Sequence, residues 1–169
     1  MTVGFAIEAL GAHDRSTFDC GNAALNHYLR AQASQDMKRL VANCFLAIDS
    51  TTKTIAGYYT LAASSVAANA LPADLVKRLP RYPLLPAALI GRLAVDHRFG
   101  GRGIGAALIA DAVFRVLRGD VSALALIVDA KDDSAVAFYL HHGFQRFADK
   151  PQSLFLPLAT ASKLIAREK

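Results

Sequence analysis

Residues 98–105, Arg-Phe-Gly-Gly-Arg-Gly-Ile-Gly, constrain this chain more than any other stretch. An aliphatic run, Ala87 to Val95, leads into them, and a helix-periodic run, Ala106 to Leu117, leads out. Glycines at a strand-to-helix junction let the backbone turn sharply. They leave amide N–H groups clustered where a helix begins and its dipole is positive. Such a cluster can cradle a pyrophosphate, and Arg98 and Arg102 add charge for the same anion. A plain glycine-rich turn has the same composition, so the loop alone leaves both readings open.

The rest of the composition narrows the setting. With 169 residues, 53% of them apolar, residues 1–169 are expected to form a single domain with a substantial core. No apolar run is long enough to span a bilayer, and the opening Met-Thr-Val-Gly-Phe lacks signal-peptide features. A cytoplasmic protein without a membrane partner is expected. Cys20 and Cys44 stand alone and read as reduced packing residues, not as a disulfide framework or zinc site. The net charge of +5 favours anionic partners such as CoA, nucleotides or RNA. Its placement is clustered: Lys38 with Arg39, Lys77 with Arg78 and Arg81, then Arg92, Arg98 and Arg102 around the glycine loop.

Periodicity and turn signals predict the order β-α-α-β-β-β-α-β-α-β-β, a mixed α/β sheet with helices on both faces. Val3 to Glu8 is the first strand. Asp19 or Asn22 caps a helix carrying Leu25, Tyr28 and Leu29, and Ala31 to Leu40 forms a second helical stretch. Asn43 to Ile48 and Ile55 to Ala63 form a hairpin. Pro72 to Pro86 is an irregular connection with helical turns at Asp74 to Leu79. Ala87 to Val95 is the central strand. The helix after the loop turns Ile109, Ala112, Val113, Val116 and Leu117 to one face, with Asp111 and Arg115 paired on the other. Ser122 to Val128 is a buried strand. Asp132, Asp133 or Ser134 caps a helix over Ala135 to His142, which Gly143 stops. Phe144 to Phe147 and Ser153 to Leu158 are the last strands, and Ala159 to Lys169 is a helical tail. The acidic residue of a dinucleotide-binding fold and the Gly-Lys-Ser/Thr of a Walker loop are both missing.

This layout, with its glycine loop and the helix ending Ala-Val-Ala-Phe-Tyr-Leu-His-His-Gly-Phe, resembles the GNAT acyl-CoA N-acyltransferases over nearly the whole chain. That fold is a central, mostly antiparallel sheet flanked by helices. Gly100, Gly103 and Gly105 fill the spacing of the superfamily's Arg/Gln-x-x-Gly-x-Gly/Ala pattern. Gly100 departs from its first position, and Arg98 or Arg102 is a candidate to replace the lost side chain. A narrower resemblance is to the acetyltransferase toxins of bacterial toxin–antitoxin pairs. It is carried by Phe18-Asp19-Cys20-Gly21 before a Leu-x-x-Tyr-Leu helix, by Ile55-Ala56-Gly57-Tyr58-Tyr59-Thr60-Leu61, by Leu89-Ile90-Gly91-Arg92-Leu93-Ala94-Val95-Asp96 and by Ala137 to Phe144. The resemblance implies acetyl transfer from acetyl-CoA to the amino group of an aminoacyl-tRNA. It also implies a homodimer and a ribbon-helix-helix antitoxin that neutralises the toxin, with operator DNA bound only through the toxin–antitoxin complex.

The resemblance also distributes roles. Tyr139 is the acid that protonates the leaving CoA thiolate; periodicity alone reads it as a packing aromatic beside Phe138. Leu93, Ala94 and Val95 offer backbone N–H groups to the thioester carbonyl. Arg98, Gly100, Gly101, Arg102, Gly103, Ile104, Gly105 and Ala106 hold the pyrophosphate, and Ser134 and Phe138 contact the same co-substrate; Ser134 reads equally as a helix cap. By their clustered charge Lys38, Arg39, Arg78, Arg81 and Arg92 are expected to face tRNA; Lys38 and Arg39 read also as a solvated helix end, Arg78 and Arg81 as part of a surface loop, and Arg92 equally as a structural partner of Asp96 or Asp129. The histidines at 13, 27, 97, 141 and 142 make no metal set, and none is expected. Two other functions fit less well: a GNAT enzyme acting on a small amine or protein N-terminus, and an inactive CoA- or RNA-binding regulator.

Overall fold

The computed structural model describes residues 4–162. The predicted first strand begins at Phe5, and its Val3 lies outside the described residues. Residues 158–162 are helical, and the remainder of the predicted helical tail also lies outside. The chain divides into two compact units, residues up to Ala62 with Ile90–Ala112, and Ala63–Leu89 with the residues from Val113 on.

In the first unit, β1 (Phe5–Ala9), β2 (Asn43–Asp49), β3 (Ile55–Ala67) and β4 (Leu84–Val95) are hydrogen-bonded neighbours in that order. β1 and β2 run antiparallel, as do β2 and β3, with a bulge at Ala47/Ile48. The two predicted N-terminal helices are one rod with a local defect. α1 (Ala23–His27) passes through a π turn (Tyr28–Gln32) into α2 (Ala33–Lys38). Asn22 is the cap, accepting from the Leu25 N–H, while Asp19 accepts from Gly21 N–H and from the Asn26 side chain. The rod packs Tyr28 and Leu29 against Phe18, Leu46, Tyr58 and Ala94. Cys44 belongs to this core, and burial pushes its thiol up to about 12, so it is an unreactive packing group.

In the second unit the strand order is β4, β5 (Ala125–Asp129), β7 (Lys150–Pro157), β6 (Gln145–Phe147), with β7 antiparallel to both its partners. α3 (Ala73–Val76) is the short helix expected within the proline-rich connection. Its core gathers Val66, Leu71, Leu85, Ile127, Phe147 and Phe155.

The helix after the glycine loop, α4 (Ile104–Arg118), contributes residues to both units. Ile109, Ala112 and Val113 are buried as the spacing predicts, but Leu117 is 42% exposed. Ile104 and Leu108 carry the buried face at the start of the helix instead. α5 (Asp133–His141) follows β5. Among the described residues no helix is long and apolar enough to cross a membrane.

Candidate functional site

The approach to the glycine loop is fixed by a buried acid. Asp96, fully buried, follows β4 and caps the single turn His97–Phe99 through the Arg98 N–H. Its carboxylate also accepts from the Arg98 guanidinium at 2.9 and 2.7 Å and from the Asp19 N–H at 3.0 Å. Burial pushes this carboxyl up, but those hydrogen bonds and the Arg98 charge outweigh it and hold the pKa at about 2. Arg98, expected at the pyrophosphate, thus has a structural role beside the loop as well. Its guanidinium is committed to Asp96 and to the Thr17 carbonyl, because a buried carboxylate without that partner would be costly.

Gly101 and Gly103 follow with φ of +74° and +77°, and a Cβ at either would meet nothing within 4 Å. The requirement there is conformational, since L residues rarely adopt this backbone. The turn stands open: Gly100, Gly101, Arg102 and Gly103 are exposed, Ile104 is buried, and Gly105 and Ala106 are half-buried. The first turn of a fifteen-residue helix thus begins beside exposed glycines, with its unpaired N–H groups and positive dipole end. Arg102 lies 5.0 Å from the Phe5 ring centroid and 5.5 Å from that of Phe99, is the loop's second cation, and its charge also acts on the Asp49 carboxylate.

The strand ahead of the cradle carries the other first-unit candidates. Leu93 and Val95 are half-buried, and Ala94 between them is buried. Arg92 is half-buried, with its backbone N–H on the Thr60 hydroxyl at 3.0 Å. Its guanidinium carbon lies 3.7 Å from the centroid of the Tyr28 ring. Neither expected acid holds it: Asp96 serves Arg98, and Asp129 accepts from the Ser153 hydroxyl. Lys38 and Arg39 are exposed where α2 ends, before Leu40 turns to φ +61°.

In the second unit the cap of α5 is Asp132, which accepts from the Ala135 N–H at 2.8 Å. Ser134 sits exposed in the first turn, so its reading as the cap is corrected. The Tyr139 ring packs edge-on against Phe138 and Phe144, with centroids 5.3 Å away in each case. Tyr139 is only 6% exposed, and burial pushes its phenol up to about 12. Its hydroxyl has no hydrogen-bond partner among the described residues, where no buried side-chain oxygen or nitrogen is left unpartnered. The oxygen is therefore not fully enclosed. Phe138 is half-buried, against the His142 ring at 4.7 Å. Arg78 and Arg81 are exposed after α3, and Arg81 lines a groove with Lys77, Leu71, Val76 and Leu79. Among the described residues no three His, Cys, Asp or Glu side chains are grouped to hold a metal.

Three structural features around the candidate site go beyond the sequence reading. Tyr28 stands in the Leu-x-x-Tyr-Leu motif, but its pairing with Asp36 beneath Arg92 has no sequence signal, because a π turn does not alter composition. Gly57 belongs to the Ile55–Leu61 motif, and the close approach of Ala94, Ile104 and Leu108 that requires a glycine there is tertiary. Asp96 could have been found from its spacing to Arg98 just after an aliphatic strand.

Residues 41–146 match the acetyltransferase (GNAT) domain family. A tRNA-acetylating toxin of Mycobacterium tuberculosis is 33% identical over 156 residues, 91% of this chain and 92% of the toxin. The solved structure of AtaT complexed with acetyl-methionyl-tRNAfMet matches with a TM-score of 0.87 and 30% identity, covering 95% of this chain and 99% of that one. A mutant AtaT toxin bound to the C-terminus of the antitoxin AtaR and acetyl-CoA matches at 0.81 and 27%, covering 96% and 98%. The chain belongs to the GNAT acetyltransferases, in the branch of the tRNA-acetylating toxins.

Proposed function

We propose that this protein is a toxin that moves acetyl from acetyl-CoA to the α-amino group of aminoacyl-tRNA and so blocks translation. The observation that carries the reading is its match to a tRNA-acetylating toxin along nine-tenths of both chains. The chemistry of the cradle fits the co-substrate. Gly101 and Gly103 open the turn, the first N–H groups of α4 suit a pyrophosphate, and Arg102 adds charge.

The substrate amine needs little activation. A free α-amine has a pKa of about 8, and esterification of the neighbouring carboxylate lowers it further. Its nitrogen attacks the thioester carbon, the carbon–sulfur bond breaks, and the ammonium proton leaves to water. Backbone N–H groups at Leu93 to Val95 stabilise the developing oxyanion. Tyr139 donates its phenolic hydrogen toward the departing thiolate and is reprotonated from solvent. A phenol held at about 12 is fully protonated throughout the working pH range. Phe138 and Ser134 contact the co-substrate. Lys38, Arg39, Arg78, Arg81 and Arg92 serve the tRNA phosphates. The acetylated nitrogen is an amide with a delocalised lone pair, so it cannot attack the next peptidyl ester.

The same reading places the toxin in the cytoplasm as a single-domain subunit of a homodimer. A ribbon-helix-helix antitoxin neutralises it, and operator DNA is reached only through that complex. The test is incubation of the purified protein with labelled acetyl-CoA and charged or uncharged bacterial tRNA. Label should enter the charged tRNA alone. Acetylation confined to a small amine or a peptide would replace this reading with a general GNAT activity.

A further inference from the structure

We propose that Tyr28 and Asp36 are positioning residues for Arg92, holding its guanidinium flat so that its N–H edge receives a phosphodiester at the acceptor end of aminoacyl-tRNA. The inference rests on the activity proposed above and gives work to Tyr28, which stands in the Leu-x-x-Tyr-Leu motif without a role, and to Asp36, which no motif marks.

The platform is built from several directions. Arg92 and Ala94 alternate onto the same face of β4, and Ala94 belongs to the core cluster that contains Tyr28. The Tyr28 ring is 2% exposed and lies nearly parallel to Tyr58, with 13° between the planes and 6.3 Å between centroids. Its hydroxyl donates to the Asp36 carboxylate at 2.8 Å. The π turn sets Tyr28 in place, and such turns recur at functional sites. Burial, and then the Asp36 carboxylate, push the phenol well above its ordinary range, so it stays neutral. The carboxylate at its hydroxyl leaves the ring rich in electrons toward the cation above it.

Arg92 is the odd member of the assembly. Its guanidinium is covered by the ring at 3.7 Å, yet among the described residues it has no carboxylate and no hydrogen-bond acceptor. No buried side-chain nitrogen there lacks a partner, so the free N–H groups face solvent. A planar cation with one face covered and its edge open is the fork that receives two phosphate oxygens at once. Ordering the fork before the substrate arrives removes a cost of binding.

The experiment measures kcat and KM for acetylation of bulk aminoacylated bacterial tRNA across a salt series, with calorimetry of acetyl-CoA alongside. Arg92→Ala should raise KM by about five- to thirty-fold, with a much smaller change in kcat. It should reduce the salt slope by about 0.7, the value of one phosphate on a single strand. Arg92→Lys should not restore KM, because an ammonium cannot offer a planar fork. Tyr28→Leu should reproduce the Arg92→Ala defect and add nothing to it in the double variant, with acetyl-CoA affinity retained. Because Tyr28 is buried, a second series keeps its shape, replacing it with phenylalanine and then with progressively fluorinated phenylalanines. KM should climb stepwise as fluorine drains the ring. A flat KM along that series, or additive Tyr28 and Arg92 effects, overturns the proposal. Wild-type KM and slope in Arg92→Ala also overturn it, while leaving the acetylation reading intact. A wild-type protein that acetylates no charged tRNA sinks that parent reading instead.

Discussion

A β-carbon placed on Gly57 of β3 would stand 2.9 Å from the carbonyl oxygen of Ala94 on β4. It would also lie 3.0 Å from Ile104 and 3.2 Å from Leu108 of α4. A backbone carbonyl cannot swing aside as a side-chain end can. Gly57→Ala is therefore expected to destabilise the protein by about 1–3 kcal/mol, the usual cost of overpacking. It should also weaken acetyl-CoA binding, because the end of β4 and the first turn of α4 must shift. Urea unfolding and calorimetry check both effects; wild-type values in the variant would deny the close approach.

Gly103 offers the opposite case, with open space but a left-handed backbone. Gly103→Asp should abolish acetyl-CoA binding by setting a strained, negatively charged residue in the cradle. Circular dichroism should remain that of the wild type. A folded variant with undiminished affinity would remove the cradle from co-substrate binding.

Arg98→Met should cost about 1–3 kcal/mol by leaving the Asp96 carboxylate with backbone donors alone. Arg98 is 44% exposed, so the figure is set below that for a wholly buried pair. The pH dependence carries a sign. The folded Asp96 pKa of about 2 lies below its unfolded value of about 3.9. Its stabilisation is complete above pH 4 or so and is lost as pH falls toward about 2. Arg98→Met raises the folded pKa, so the acid limb of stability should narrow. Denaturation midpoints of the two proteins from pH 2 to pH 6 should converge toward the acid end. A constant difference would exclude Asp96 as the linked group.

Tyr139→Phe should retain the fold and acetyl-CoA binding but lose about 10²–10⁴-fold in acetyl transfer. In the wild type, kcat/KM should rise with pH as the substrate amine deprotonates. It should then stay level through pH 9.5, because a phenol at about 12 has not begun to ionise. A fall in rate below that pH, tracking a single ionisation of the enzyme, would assign the acid to another group.

Lys38→Glu combined with Arg39→Glu should weaken tRNA binding and flatten its salt dependence without altering acetyl-CoA affinity. Both side chains are exposed at the end of α2. Filter binding over a salt series is the measurement. Parallel salt slopes for variant and wild type would make this pair a solvated helix end.

The parts of this architecture written in local pattern were legible. The short apolar runs of β2 and β3, the apolar stripe of α4 and the glycines before it follow from run length, period and turn chemistry. What pattern could not reach was choice among equivalent partners. Asp132, Asp133 and Ser134 are all competent caps, and backbone geometry selected Asp132. Arg98 and Arg102 are both cations beside the loop, but a carboxylate buried by tertiary packing claimed Arg98. Leu117 keeps the helical spacing of its neighbours, yet it lies near the end of α4 and remains 42% exposed. The Tyr28–Arg92 stack joins a helix to a strand distant in sequence, through a π turn that no periodicity announces.

Asp96 takes a hydrogen bond from Asp19 across 77 positions of sequence, and Arg98 gives one to Thr17 across 81. Contacts of such separation wait for their loops to close. While the chain is being synthesised, its first helix has long emerged before the turn ahead of the glycines gains its anchor. The glycines, α4 and Tyr139 come later still. On the proposed mechanism, a nascent polypeptide that has not yet added the glycines and Tyr139 has neither cradle nor acid and transfers no acetyl group.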